Sequence, residues 1–240
     1  MKKKGIDVSK HQGNIDWNKV APNIDFAMLR AGYGKGNIDA FFDMNAVACN
    51  RLNIPIGVYW FSYAYTPEMA RREAQFCINI IKAHKITYPV CFDFEYDSAK
   101  YAERNGVKIT SDLLCKMAEA FLSEVEDNGY YAMNYTNIDY LNKGFSKLTA
   151  RYDTWLAQWG VNEPTKKCGI WQYTDSGKVS GIKGNVDMNY SYHDYTMYTK
   201  QKDYVSIVQQ KLKLEDQTIS YLKKYKYADE LFRRIANGLK

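Results

Sequence analysis

The chain has 240 residues, a length that fits a single barrel, or a barrel with a small appendage, better than two average domains. Apolar residues make up 46% and charged residues 25% of it, which excludes a disordered chain. Most of the net charge of +6 comes from residues 200–240, which hold 10 Lys or Arg against 5 Asp or Glu. The preceding residues are nearly neutral, which argues against a nucleic-acid groove there.

Cysteine and histidine residues are few and scattered. The five cysteines form no close pairs: Cys49, Cys77, Cys91, Cys115 and Cys168. An odd number without close pairing is not typical of a disulfide framework, so we expect reduced thiols and synthesis in a cytoplasm. The three histidines have no HxxxH spacing and no CxxC pair occurs, so we expect neither a metal site nor a cofactor.

The amino terminus, Met-Lys-Lys-Lys-Gly-Ile-Asp-Val, lacks the apolar segment of a secretory signal peptide. No run of about 18 apolar residues occurs, so membrane insertion is not expected either. A protein of this kind that acts outside the cell would need another route of release.

Strand-like segments alternate with helical ones along the chain. The strand-like segments are rich in β-branched and aromatic residues, and the last three are weaker: residues 6–9, 26–31, 54–63, 89–95, 130–135, 154–159, 169–173 and a segment around Val186. Helical spacing of apolar residues occurs over 41–52, 66–82 and 110–127. This alternation predicts an α/β fold with a mostly parallel sheet. A closed barrel is the favoured architecture, and short later crossovers make a regular eightfold barrel doubtful.

Residues 203–240 have a different character, with apolar residues at the spacing of three short helices. A segment of about 38 residues cannot bury a stable core alone, so it must pack on residues 1–198 or on another copy of the chain. We expect either self-association or binding to anionic cell-wall polymers. Solvated lysines on small helices, or a nucleic-acid-binding segment, are the alternatives.

Two acidic residues end the fourth predicted strand. Because side chains two apart on a strand share a face, Asp93 and Glu95 lie together with Cys91, opposite Phe92 and Phe94. In barrel folds, side chains at the carboxyl end of a strand are where catalysis takes place. When two acids lie this close together, the pKa of one of them is raised. A protonated acid near neutral pH is what glycoside cleavage requires. The alternative is a surface strand that ends in a solvated acidic turn.

Two further acids lie among apolar residues. Asp7 lies between Ile6 and Val8, and Asp187 lies between Val186 and Met188. Asp7 either faces the barrel lumen or caps the following loop. Asp187, taken alone, is more typical of a turn residue.

Aromatic residues make up 15% of the chain, an excess that suits a groove for sugar rings. Tyr59, Phe61 and Tyr63 alternate along the third predicted strand and so share a face. Further aromatic residues recur near the ends of later strands: Tyr135, Trp159, Trp171 and Tyr173. A barrel core that is merely rich in tyrosine is the alternative.

Several motifs, which together span about residues 4–195, resemble those of glycoside hydrolase family 25, the phage and bacterial lysozymes that cleave peptidoglycan. They occur in the order of that family: residues 5–13 (Gly-Ile-Asp-Val-Ser-Lys-His-Gln-Gly), 57–64 (Gly-Val-Tyr-Trp-Phe-Ser-Tyr-Ala), 93–95 (Asp-Phe-Glu), 155–159 (Trp-Leu-Ala-Gln-Trp), 170–173 (Ile-Trp-Gln-Tyr) and 186–189 (Val-Asp-Met-Asn). Trp60 stands where many members have His, and Trp159 where many have Tyr.

The resemblance implies a modified β/α barrel with fewer helices than strands, over residues 1–198, that cleaves the β-1,4 bond from N-acetylmuramic acid to N-acetylglucosamine. It implies that Glu95 is the general acid, assisted by Asp93, and that Asp7 and Asp187 flank the cleaved sugar. Substrate contacts are expected from the aromatic residues and the 170–173 motif: Tyr59, Phe61, Tyr63, Tyr135, Trp159, Gln172 and Tyr173. No metal is implied, and both the nucleophile and the retaining or inverting outcome stay open.

Lack of a signal peptide fits a phage or prophage endolysin, which accumulates in the host cytoplasm and reaches the wall once a partner protein opens the membrane. A catalytically inactive glycan-binding barrel is the main alternative. A chitinase-like hydrolase is a further one, although such enzymes carry a longer run of acids on the fourth strand.

Overall fold

The computed structural model describes residues 2–197, 204–225 and 228–239. Eight strands close into a barrel, and a ninth, β3, extends the sheet beside β2. The strands are β1 (Lys3–Val8), β2 (Phe26–Tyr33), β3 (Asn37–Ile38), β4 (Ile56–Phe61), β5 (Val90–Asp93), β6 (Ala132–Asn137), β7 (Asp153–Ala157), β8 (Ile170–Gly177) and β9 (Val186–Ser191). The predicted barrel class is therefore confirmed.

One strand of the barrel runs against the others. Around the barrel from β1 through β2, β4, β5, β6 and β7 to β8, neighbouring strands are parallel, whereas β9 pairs antiparallel with both β8 and β1. The first residues of β9 therefore lie at the end of the barrel where the parallel strands finish. As a result Asp187, the second residue of β9, pairs directly with Asp7 near the end of β1.

Helices cover the barrel unevenly, and fewer of them surround it than it has strands. In the described residues they are α1 (Trp17–Val20), α2 (Phe42–Arg51), α3 (Pro67–Ile81), α4 (Tyr96–Arg104), α5 (Ser111–Asp127), α6 (Ile138–Lys143), α7 (Tyr204–Leu212), α8 (Asp216–Leu222) and α9 (Ala228–Gly238). Thr66 caps α3 by accepting a hydrogen bond from Met69 N, and Thr110 caps α5 by accepting one from Leu113 N.

Side chains of β5 alternate between two cores. Val90 and Phe92 belong to the layer between sheet and helices, while Cys91 lies inside the barrel. Burial of a large apolar side chain such as Phe92 contributes about 1.5–3 kcal/mol, so the outer layer fixes the orientation of the strand. The faces predicted for β5 are those observed, and the acid that follows Phe92 is directed into the lumen.

Among the strand ends that differ from their predicted positions, two lie beside the candidate site residues. The third predicted strand stops at Phe61 rather than Tyr63, and the fourth stops at Asp93 rather than Glu95. Helix α4 begins directly after Glu95, where the sequence alone offers an acidic turn. Its polar sequence, Tyr-Asp-Ser-Ala-Lys-Tyr-Ala-Glu-Arg, contains few apolar residues at helical spacing, which is why the helix was not predicted.

The three helices expected near the carboxyl end are α7, α8 and α9, which share an apolar cluster that includes Val208, Ile219 and Phe232. Tyr204 donates a hydrogen bond to the carbonyl of Asp127 at 2.7 Å. The predicted boundaries at residues 198 and 203 lie outside the described residues. In the described part of the chain, no helix has the length and apolar character required to cross a membrane.

Candidate active site

Four carboxyl groups meet at the end of the barrel where the parallel strands finish. Asp7 comes from β1, Asp93 from the last position of β5, Glu95 from two residues later and Asp187 from β9. They line one cavity of about 270 Å³. The structure thus brings together all four acids that were expected to act in catalysis.

The backbone at Glu95 is held at the start of α4. Its amide N–H donates to the hydroxyl of the buried Ser98 at 3.1 Å, and its carbonyl accepts from Tyr140. The side chain is half-buried at the cavity, whereas Asp93 is 2% exposed. Glu95 is therefore the member of this pair that is more accessible to a ligand.

Asp93 and Glu95 form the first carboxyl pair and share a hydrogen bond. Burial raises the pKa of Asp93 well above its usual range, and the charge of Glu95 raises it further. Burial also raises the pKa of Glu95, while the hydrogen bond with Asp93 opposes that rise. Two buried carboxyl groups in contact cannot both ionise easily, so the pair retains a proton at a pH where isolated carboxyl groups have lost theirs.

Asp7 and Asp187 form the second carboxyl pair, across the antiparallel strands β1 and β9. One oxygen of Asp7 accepts hydrogen bonds from Asn189 Nδ2 at 2.8 Å and from Gln172 Nε2 at 3.0 Å. Burial raises the pKa of Asp7, and these two donors oppose the rise. Burial and the charge of Asp7 raise the pKa of Asp187 to about 8. At neutral pH, Asp187 thus holds the proton of this pair and Asp7 accepts.

Two aromatic side chains orient the amides that hold Asp7. Trp155 Nε1 donates to Asn189 Oδ1 at 2.7 Å, and the hydroxyl of Tyr135 donates to Gln172 Oε1 at 3.2 Å. Each amide oxygen is occupied in this way, so each NH₂ group points to Asp7. Asn189 and Trp155 belong to the family motifs at residues 186–189 and 155–159, but the sequence alone did not identify them as site residues. Asn189 lies two positions after Asp187 on β9, so strand alternation could have found it.

Arg30 is a further cavity residue that sequence reasoning missed. It comes from β2 and forms an ion pair with the buried Asp39 at 2.7 Å. Its positive charge lowers the pKa of Asp93, against the larger effects of burial and of the neighbouring acids. The signal in the sequence was its position two residues after Met28, whose side chain lies inside the barrel.

The proposed aromatic contacts divide into two groups. Tyr59, Phe61, Tyr135 and the amide of Gln172 line the cavity. Tyr63, Trp159 and Tyr173 do not belong to that lining. Tyr63 follows the end of β4 and contacts Phe61 at a ring distance of 5.2 Å, and Trp159 is 49% exposed beyond the end of β7.

Tyr173 and Trp60 lie on the outer side of their strands. Tyr173 stacks on Tyr190 at a ring distance of 4.6 Å and packs against the outer core, because alternation along β8 directs its neighbour Gln172 inward. The Trp60 ring is fully buried over Gly32, where an added Cβ atom would lie 2.6 Å from it. The Trp60 side chain, which stands where many family members have His, therefore does not reach the cavity.

A larger cavity, of about 420 Å³, lies at the opposite end of the barrel. It is lined by residues around the first positions of β7, including Arg151 and Asp153, and by Lys166, Lys167 and His193. None of the four clustered acids borders it. The smaller cavity is therefore the candidate active site, because it combines acids, aromatic rings and shifted pKa values.

Comparison with known proteins identifies the family. The sequence profile of glycosyl hydrolases family 25 matches residues 6–182. The chain belongs to this family. The resemblance inferred from the motifs is thereby confirmed, together with the enzyme class, a glycoside hydrolase.

Individual relatives share about a quarter of their residues with this family 25 chain. The protein YegX of Escherichia coli O157:H7 is 26% identical over 196 residues, which cover 77% of this chain and 68% of that protein. Lysozyme M1 of Streptomyces globisporus is 26% identical over 206 residues, which cover 77% of this chain and 66% of that enzyme.

Among solved structures, the modular autolysin LytC of Streptococcus pneumoniae, in complex with a synthetic peptidoglycan ligand, is similar with a TM-score of 0.70 and 28% identity. The match covers 80% of this chain and 47% of LytC, so the chain spans about half the length of that relative.

Within the described residues, no group of three or more His, Cys, Asp or Glu side chains has an arrangement suited to a metal ion. The four acids of the cavity instead form two hydrogen-bonded pairs. Their pKa shifts come from burial and from one another, and this is the electrostatic situation that acid catalysis uses.

Proposed function

We propose that this family 25 chain is a muramidase that hydrolyses the β-1,4 bond from N-acetylmuramic acid to N-acetylglucosamine in peptidoglycan. The observation that carries the proposal is the meeting of two proton-sharing carboxyl pairs in one aromatic-lined cavity. Lysozyme M1 and the peptidoglycan complex of LytC support the choice of substrate.

Glu95 is proposed as the general acid. The shared hydrogen bond raises the pKa of Asp93 and lowers that of Glu95, so the retained proton rests mainly on Asp93. It passes through this hydrogen bond to Glu95, the more accessible member, which delivers it to the oxygen of the leaving sugar. After transfer both Asp93 and Glu95 are ionised. Their combined negative charge then faces the positive charge that develops at the cleaved sugar, which favours the transition state over the ground state.

Asp7 and Asp187 are proposed to act from the other side of the cavity. The negative charge of Asp7, held by two amide donors, stabilises positive charge on the sugar. The protonated Asp187 presents a hydroxyl that can donate to Asp7 or to a carbonyl of the substrate, such as that of an acetamido group.

Product analysis tests this reaction directly. Purified peptidoglycan is digested with the full chain, and the fragments are reduced and analysed by mass spectrometry. Reducing ends on muramic acid are expected. Reducing ends on glucosamine would refute the bond assignment, and wall binding without new reducing ends would identify an inactive glycan-binding barrel.

We also propose that residues 203–240 form a separate module whose helices mediate self-association. The apolar cluster of α7, α8 and α9 is distinct from those of the barrel, and Leu212, Tyr221 and Tyr225 are exposed on the same segment. Truncation after Lys200 is expected to convert a larger species to a monomer by light scattering. Unchanged mass together with weaker sedimentation with cell walls would instead favour wall binding.

A phage-endolysin role is a further proposal. All five cysteines are buried free thiols, which supports folding in a reducing cytoplasm. Cytoplasmic expression in bacteria should leave cells intact until a membrane-opening protein is induced, and then cause rapid lysis. Lysis without that partner would refute the proposed route of release.

A further inference from the structure

Four aromatic rings form a row that starts in the active-site cavity. Ring centroids of Phe61 and Tyr63 lie 5.2 Å apart, those of Tyr63 and Tyr101 5.1 Å, and those of Tyr101 and Tyr65 6.2 Å. Phe61 belongs to the cavity lining. We call these four residues the aromatic strip. Tyr65 and Tyr101 were not among the aromatic residues noted in the sequence.

The outer members of the strip have the character of a binding surface. Tyr63, Tyr65 and Tyr101 are all half-buried, so each ring is supported on one side and accessible in part. Across the described residues, none of their three hydroxyl groups forms a hydrogen bond with the protein. A buried tyrosine normally finds a partner for its hydroxyl, whereas a sugar would offer these rings both C–H faces and hydroxyl partners.

The strip leads away from the proposed general acid along helix α4. Glu95 is the residue that immediately precedes this helix, and Tyr101 lies six positions further on. At 1.5 Å per residue, Tyr101 is displaced about 9 Å along the helix axis from Glu95. A chain of sugars whose bond is held at Glu95 can therefore continue over Tyr101.

A buried carboxyl group holds the strip in place. Glu73 of α3, which is 2% exposed, accepts a hydrogen bond from Tyr63 N at 3.0 Å. The preceding amide, Ser62 N, donates to the carbonyl of Asp93 at 2.7 Å. The loop after β4 is thus fixed between α3 and the strand that carries Asp93. A ring surface ordered in advance loses little conformational entropy on binding.

We propose that the aromatic strip binds the glycan chain of peptidoglycan beyond the cleaved bond, so that the enzyme prefers long strands to short fragments. This inference rests on the proposed muramidase function. Glu73 is a positioning residue in it, because it acts through Tyr63 rather than on the sugar.

The test compares two substrates and two variants. Peptide-free glycan strands of many disaccharides serve as the long substrate, and the shortest fragment that the wild-type chain cleaves serves as the short one. Tyr101→Ala and Tyr65→Ala are each expected to raise KM for long strands about threefold to tenfold, the range for loss of one ring contact, with kcat and the short substrate unchanged. Tyr192→Ala, which truncates a half-buried tyrosine at the opposite end of the barrel, is the matched control and should change neither KM.

If Tyr101→Ala and Tyr65→Ala change KM equally on both substrates, or leave KM for long strands unchanged, the proposed role of the aromatic strip is refuted. Binding distinguishes this failure from failure of the muramidase proposal. In a Glu95→Gln background, affinity for the long strands is measured with and without Tyr101→Ala. Weaker binding after Tyr101→Ala supports the strip even where no cleavage of peptidoglycan occurs, and unchanged binding refutes it.

Discussion

The cavity has two sides, and each is built on a pair of carboxyl groups with different surroundings. On the β1–β9 side, two amide donors reach Asp7, so this residue can carry the charge while Asp187 carries the proton. On the β5 side, Asp93 and Glu95 have chiefly each other, with Arg30 acting on Asp93 from a distance. The two pairs therefore differ in function. The Asp93–Glu95 pair can give up a proton, whereas the Asp7–Asp187 pair keeps a negative charge on Asp7.

The largest expected effect follows from removing the transferable proton. Glu95→Gln keeps the shape of the side chain but cannot donate a proton to the leaving oxygen, so activity on cell walls should fall by about 10² to 10⁴. The measurement is the initial rate of turbidity loss of purified walls. Glu163→Gln, an exposed glutamate far from the cavity, is the control. A Glu95→Gln chain with more than a third of wild-type activity would contradict the assignment.

Loss of the fixed negative charge comes next. Asp7→Asn removes the charge held by Asn189 and Gln172, and it should lower kcat about 10²-fold, an effect comparable to loss of one electrostatic contact to a transition state. Far-ultraviolet circular dichroism and the melting temperature show whether the barrel remains folded. A folded Asp7→Asn chain with normal kcat would mean that the β1–β9 side does not stabilise charge.

Asp187→Asn sharpens the same comparison. With a pKa of about 8, Asp187 is protonated at pH 6, and an asparagine at this position is also neutral and can also donate to Asp7. At pH 6 the variant should therefore keep at least about a third of wild-type kcat. Asp187 loses its proton as the pH rises through about 8, so any wild-type activity change that depends on this group should disappear in the variant. A loss at pH 6 as large as that of Asp7→Asn would show that the carboxyl group itself is needed.

Sequence patterns anticipated the acids because strand alternation is local. Asp93 faces the lumen since Phe92, next to it, is drawn into the outer core. Two of the expected aromatic residues lie outside the cavity lining. Tyr173 is next to the inward-facing Gln172 and therefore faces outward, and Tyr63 follows the end of β4 at Phe61, where the chain turns toward Glu73. Glu95 reaches the cavity for a different reason from the predicted one, since it precedes α4 rather than continuing β5.

Other features could not be inferred from spacing along the chain. The ion pair of Arg30 with Asp39 depends on the short strand β3 and the loop that follows it, and the contact of Tyr101 with Tyr63 depends on where α4 packs. The position of Asp187 required the reversed direction of β9, which no local signal in the sequence indicates. The order of the motifs along the chain was enough to indicate the family, whereas these long-range contacts could be identified only in the folded structure.

The last expected effect, at Glu73, is on stability and leaves the rate unchanged. Burial raises its pKa from 4.5 to about 7, so the folded chain binds this proton more tightly than the unfolded chain does. Between about pH 4.5 and 7 the native state therefore holds more protons, and the free energy of unfolding falls as the pH rises. By pH 7 and above, this change has lowered the free energy of unfolding by at most about 3 kcal/mol. Glu73→Gln has no charge to bury and still offers Tyr63 N an acceptor oxygen.

Urea unfolding at pH 5 and pH 8 measures this difference. The stability of Glu73→Gln relative to wild type should rise between the two pH values, whereas any fixed cost of burying the amide is the same at both and cancels. Glu103→Gln, at an exposed position on α4, should show no such rise. If the difference in free energy of unfolding between Glu73→Gln and wild type is the same at both pH values, then Glu73 ionises in the folded chain at little cost. Its hydrogen bond with Tyr63 N, which fixes the aromatic strip, would then not weaken as the pH falls.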